Sequence, residues 1–146
     1  MHDEQLYSQA EREFTTTLLN ARKNLIRRAR QIHPDLQAPG FRLIALLGRN
    51  DGQQQGALAE QLDLDQATIS RMVKNLEAMG LVQRAVDPAD GRAQLVSLTS
   101  TARANWESSG QYYSQKLRSR IDAWSPEELV RFIDLLQRLN APDDED

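Results

Sequence analysis

The side chains of this sequence that can do chemistry are concentrated in one stretch, Asp65-Gln66-Ala67-Thr68-Ile69-Ser70-Arg71-Met72-Val73-Lys74. Small and hydrogen-bonding residues come first, at Gln66, Ala67, Thr68 and Ser70, and the cations Arg71 and Lys74 follow. A helix that enters a major groove by its N-terminal turns needs this order, because base edges offer donors and acceptors to short polar groups while phosphates attract cations behind them. The wet face of an ordinary amphipathic helix shows the same pattern, so the surrounding elements must decide between the two. Further on, Asp87-Pro88-Ala89-Asp90-Gly91-Arg92-Ala93 is rich in turn formers and carries Arg92 beside a flexible Gly91. A guanidinium at such a tip suits a narrow minor groove, where the negative potential is enhanced. Asp87 or Asp90 is expected to hold the loop's shape through backbone or arginine contacts.

Catalysis has few candidates. The only two histidines are His2, near one end, and His33, where a helix is expected to stop and where it would complement the helix dipole. Cysteine is absent from the chain, which excludes disulfides, thiol nucleophiles, thiol redox switching and zinc sites built on Cys. Neither an enzyme nor a cofactor is expected.

The elements that must position the polar stretch follow from periodicity. Ala10, Phe14, Leu18, Ala21, Leu25, Ala29 and Ile32 recur at steps of three and four, the mark of one face of a long helix over about 8–32, which His33-Pro34 stops. A short apolar helix is expected over Gly40 to Gly48, and Asn50-Asp51-Gly52 is a turn. Two helices in close succession, Ala57 to Leu62 and Gln66 to Met79, are joined by Asp63-Leu64-Asp65, which is helix-turn-helix spacing. Asp65 is the N-cap of the second, Ile69, Met72, Val73, Leu76 and Met79 its buried stripe, and Gly80 its terminating glycine. Leu81 to Val86 and Gln94 to Leu98 then read as two strands flanking the Arg92 loop. Thr99 can cap a following helix with Ala102, Trp106, Tyr113, Leu117 and Ile121 at helical spacing. Ser125-Pro126-Glu127-Glu128 is a capping box opening a last helix expected to bury Leu129, Phe132, Ile133, Leu136 and Leu139. A two-stranded hairpin is only marginally stable alone, so this one must lean on the helix before it, as in a winged helix. The expected fold is mainly α with a small β-hairpin wing.

At 146 residues, 40% hydrophobic and 27% charged, the chain can bury a core without staples, and one domain over 1–146 is expected. The net charge of −3 argues against indiscriminate binding to polyanions. Distribution counts for more: Arg22, Lys23, Arg27, Arg28 and Arg30 crowd one segment, while Asp143, Asp144, Glu145 and Asp146 form an acidic run. The acidic N-terminal sequence is unlike a signal peptide, and no apolar stretch has membrane-spanning length, so a cytoplasmic location and no membrane partner are expected.

The run from Leu58-Ala59-Glu60 through Thr68-Ile69-Ser70-Arg71 and Leu76-Glu77-Ala78-Met79-Gly80-Leu81-Val82-Gln83-Arg84, then Asp87 to Ala93 and Leu95-Val96-Ser97-Leu98-Thr99, resembles the MarR family of bacterial regulators. The Asp-x-Arg wing followed by a Leu-Thr helix start is specific. The sequence departs from the family pattern at Ala102, where a glycine is usual, and in Gln53-Gln54-Gln55-Gly56, an atypical helix start. The resemblance implies a homodimer built by helices in 8–33 and 99–140 around a winged helix-turn-helix lobe at 40–98. It implies a recognition helix in the major groove of an inverted-repeat operator in double-stranded DNA, Arg92 in the minor groove, and transcriptional repression as the outcome. It also implies a small anionic or aromatic effector, for which Arg22, Arg42, Trp106 and Tyr113 are the candidate contacts. The competing expectation is a winged-helix module for protein–protein contacts that does not bind DNA, against which Ser70, Arg71, Lys74 and Arg92 speak.

Overall fold

Helix α1 spans Glu4–Ile32, opened by the Asp3 carboxylate, which accepts from the Gln5 backbone N–H at 3.1 Å, and closed at His33. The computed structural model describes residues 3–142; His2 and the acidic run Asp143, Asp144, Glu145 and Asp146 lie outside them. The remaining elements are α2 (Ala38–Arg49), β1 (Gln53–Gln54), α3 (Gln55–Leu62), α4 (Gln66–Ala78), β2 (Val82–Asp87), β3 (Asp90–Leu98), α5 (Ser100–Ile121) and α6 (Pro126–Leu139). They form two units, one running through Gly110 and one from Gln111 on.

In the first unit a single core gathers the buried faces of α2, α3 and α4 with the inner residues of the sheet. Leu43, Ile44, Leu47, Leu58, Ile69, Val73 and Val96 are all fully buried. On β3 the burial alternates, with Val96 and Leu98 inward, as one covered face of a sheet requires. The sheet has three antiparallel strands in the order β1-β3-β2, with Gln53 opposite Val96, Gln54 opposite Leu95, and Val82 opposite Leu98. The expected two-stranded hairpin is therefore corrected to three strands. Residues Gln53 and Gln54 carry no apolar alternation, and they become a strand only because β3 offers an open edge. The loop expected over residues 87–93 is also shorter, since Asp87 pairs with Asp90 across a turn of Pro88 and Ala89. His33 acts as a turn former: its Nδ1 accepts from the Asp35 backbone N–H at 3.1 Å.

The C-terminal half of α1 is tied in by Arg28. Its guanidinium carbon lies 3.8 Å from the centroid of the Trp106 ring, its Nε donates to Ser109 Oγ at 3.0 Å, and its Nη2 donates to the Trp106 carbonyl at 3.2 Å. Trp106 also meets Phe41 at 5.8 Å between ring centroids. Two glycines make room for this cluster. At Gly48 a Cβ would run into the Trp106 indole, and at Gly110 it would come within 2.8 Å of Arg28 Nη2.

In the second unit, α6 opens with the expected capping box, Ser125 Oγ accepting from the Glu128 N–H and Glu128 Oε2 accepting from the Ser125 N–H. Trp124 and Phe132 pack edge to face at 5.2 Å, as do Tyr112 and Tyr113. The stripe Phe132, Ile133, Leu136 and Leu139, expected to be buried, is exposed in the single chain, and Leu129 is half-buried. The same holds for Phe14 and Leu18 on α1. The apolar spacing is therefore as expected, and these faces lie open in the single chain.

Arg28→Ala removes a stacked cation and two hydrogen bonds, and it should lower stability by about 1–3 kcal/mol in denaturant unfolding. Gly48→Ala should cost about as much by forcing Trp106 away. A loss near zero for both would show that the Arg28 cluster does not hold α1.

Candidate nucleic-acid interface

Helix α4 is held at both ends by groups that leave its outer face clear. At its start Asp65 caps it, Oδ1 accepting from the Thr68 backbone N–H at 2.7 Å and Oδ2 from the Thr68 hydroxyl at 2.7 Å. The preceding turn passes through Asp63, which takes the left-handed conformation at φ 52°, one that Asp tolerates better than most non-glycine residues. At its end Gly80 adopts φ 72°, the Gly80 N–H donates to Glu77 O and the Leu81 N–H to Leu76 O, both at 2.9 Å. This is a glycine-terminated helix end that satisfies the last carbonyls.

The expected inner stripe is present, with Ile69, Val73 and Leu76 buried and Met72 and Met79 half-buried. Opposite it, Gln66, Ala67, Arg71 and Lys74 are exposed, while Thr68 and Ser70 are half-buried. The two polar residues of the first turns thus differ in kind. Gln66 is exposed at the start of the helix, whereas the Thr68 hydroxyl is engaged with Asp65 and also accepts from Arg71 Nη2 at 3.3 Å.

The wing is built on Asp87. This buried carboxylate accepts from the Gln54 side-chain amide through Oδ2 at 2.8 Å and from the Ala89 backbone N–H through Oδ1 at 2.8 Å. These two bonds, the Gln54 amide first, hold the Asp87 carboxyl below its ordinary value of 3.8. Asp90 Oδ1 accepts from the Arg92 backbone N–H at 3.1 Å, fixing the chain where Arg92 projects, exposed. Both aspartates therefore shape the wing, through backbone bonds and an amide in place of an arginine. The partner Gln54 was not foreseen, because a glutamine in a short polar run gives no sequence signal for a bond to a residue 33 positions away. Equally unforeseen is Glu77, whose Oε1 accepts from Arg84 Nε at 2.7 Å and ties the outer end of α4 to β2. Thr99 completes the frame: its hydroxyl donates to the Gly80 carbonyl at 2.8 Å and accepts from the Ala102 N–H at 3.2 Å.

The four candidate effector contacts have different surroundings. Arg22, with Leu25, Ile26, Arg30 and Leu36, lines a cavity of about 490 Å³ between α1 and the turn that follows it. Trp106 is stacked on Arg28, Arg42 is exposed on α2, and Tyr113 pairs with Tyr112 in the second unit. Among the described residues no cluster of acids and histidines could hold a metal ion, and no helix is long and apolar enough to cross a membrane.

A helix-turn-helix backed by a three-stranded sheet with a projecting arginine-bearing hairpin defines a winged helix-turn-helix protein. The sequence model of the MarR family matches residues 35–93. The chain is similar to the uncharacterized HTH-type transcriptional regulator YxaD of Bacillus subtilis, 36% identical over 83 residues, which are 57% of this chain and 58% of that one. It thus spans under two thirds of that relative's length. It is also similar in fold to a MarR family protein from Bacillus stearothermophilus, with a TM-score of 0.71 and 22% identity over 95% of this chain and 96% of that one. Streptococcus pneumoniae FabT, solved in complex with DNA, has a TM-score of 0.73 and 20% identity over 90% and 94%. The helix-turn-helix and wing, within residues 35–93, are therefore those of the MarR family.

The low position of the Asp87 carboxyl has a definite sign. A carboxyl depressed by folding contributes stability that is complete above 3.8 and is lost as the pH falls through its lower folded value. Between about pH 5 and pH 2, Asp87→Asn should therefore lose stability less steeply than the parent chain. Parallel acid-unfolding curves for the two would contradict this role of the ionised carboxylate.

Proposed function

We propose that this protein is a sequence-specific transcriptional regulator, not an enzyme, that binds an inverted repeat in double-stranded DNA as a homodimer. The observation that carries this reading is the division of α4. Its inner stripe is buried and its ends are capped, which leaves Gln66, Ala67, Ser70, Arg71 and Lys74 along the other side, next to a wing that projects Arg92. In this reading α4 enters the major groove, Arg92 enters the minor groove, and the protein acts in the cytoplasm as a repressor. The DNA complex of FabT, a protein of the same fold, supports the assignment. The exposed stripes on α1 and α6 support the dimer, since apolar surface of that extent on a soluble chain marks an interface. A small anionic or aromatic effector belongs to the same proposal, with Arg22 in the lining of the α1 cavity as its cation.

Three measurements test it. Sedimentation at micromolar concentration should give a dimer, and footprinting should give half-sites whose centres lie about 10 base pairs apart or a multiple of that. Arg92→Ala should weaken binding to every duplex and reduce the salt slope by about one, whereas Gln66→Ala and Ser70→Ala should mainly relax base preference. An unchanged affinity and salt slope in Arg92→Ala would remove the wing from the interface, and a monomer that binds DNA tightly would remove the dimer.

A further inference from the structure

The Thr68 hydroxyl stands between an anion and a cation. Asp65 Oδ2 lies 2.7 Å from it on one side and Arg71 Nη2 lies 3.3 Å from it on the other. A hydroxyl has one proton to give and two lone pairs with which to accept. An ionised carboxylate only accepts and a guanidinium only donates, so the Thr68 proton goes to Asp65 and one lone pair goes to Arg71. The Thr68 N–H and hydroxyl both hold the Asp65 carboxyl below its ordinary value, and the Arg71 charge adds to the effect, which keeps Asp65 in its accepting form. With its one proton spent, Thr68 is a poor reader of base acceptors.

Arg71, by contrast, spends one of its five donors on Thr68 and is otherwise exposed. The bond runs back along α4, from Arg71 to Thr68 in the first turn, the end of the helix that meets base edges in the reading above. We propose that Asp65 and Thr68 are positioning residues that aim Arg71, and that Arg71 reads a guanine through O6 and N7. A guanidinium fork matches that pair of acceptors. This inference rests on the DNA-binding function proposed above.

The experiment uses the full chain and duplexes selected by it from a random-sequence pool, followed by binding measured against every single-base variant of the selected site. The variants are Thr68→Val, which keeps the shape and the backbone cap but removes the hydroxyl, Thr68→Ser, which keeps the hydroxyl, Arg71→Ala, and the double variant Thr68→Val with Arg71→Ala. Arg71→Ala should abolish preference at one G·C pair, a loss of about five- to hundredfold in discrimination. Thr68→Val should lower preference at that same pair and nowhere else, Thr68→Ser should restore it, and Thr68→Val should add nothing in the Arg71→Ala background.

Loss at a different base pair, additive losses in the double variant, or failure of Thr68→Ser to rescue would overturn the inference while leaving the DNA-binding function intact. Failure of the parent chain to enrich any sequence would overturn both. Circular dichroism melting of each variant fixes a temperature at which all are folded, and binding is compared there, so that a loss of preference does not come from unfolding.

Discussion

Helix α4 can present side chains outward only if its own ends and inner face are satisfied by something else, and most of the first unit meets that requirement. An isolated helix of this length is marginal in water, so its stability must come from packing and caps. Burial of Ile69, Val73 and Leu76 supplies the packing, at about 1.5–3 kcal/mol for each large apolar side chain. Asp65 closes the start, Gly80 closes the end, and the Thr99 hydroxyl fastens that end to the first turn of α5. Each of these groups faces inward or lies off the helix, so Gln66, Arg71 and Lys74 remain exposed on its outer face.

Arg28 performs the matching task for α1. A half-buried cation against an indole and two oxygens is costly to desolvate, and it persists because the ring face, Ser109 and the Trp106 carbonyl replace part of its water. Its position on α1 and the positions of Gly48 and Gly110 are mutually dependent: either glycine given a side chain would displace a member of the cluster. The link joins the long helix to the elements that support α4, within the first unit.

Most of the architecture was legible in the sequence, for identifiable reasons. Helical stripes announce themselves by spacing, and the caps at Asp65, Gly80 and Ser125 are local chemistry that a short window contains. Partnerships across long separations were not legible. Gln54 with Asp87 and Arg28 with Trp106 are contacts between residues that no periodicity relates, and β1 is a strand by virtue of its neighbour alone. The polar face of α4 was legible as a set of residue types. That Thr68 is already engaged by Asp65 and Arg71 is visible only in the geometry. The stripes on α1 and α6 were legible as apolar faces, since periodicity says that a face is apolar, but it is silent on which molecule covers it.

The tie between Asp87 and Gln54 also bears on mechanical leverage. Arg92 stands four residues before the fully buried Val96, and at about 3.3 Å per residue the strand carries it roughly 13 Å beyond the core. On an arm of that length a tilt of about 5° displaces the tip by roughly 1 Å, comparable to the tolerance of a hydrogen bond. A free two-stranded ribbon would flex by more. By bonding the turn at the tip to a third strand rooted beside the core, Asp87 braces the arm along its length, so that the arginine is carried on a truss and not on a cantilever.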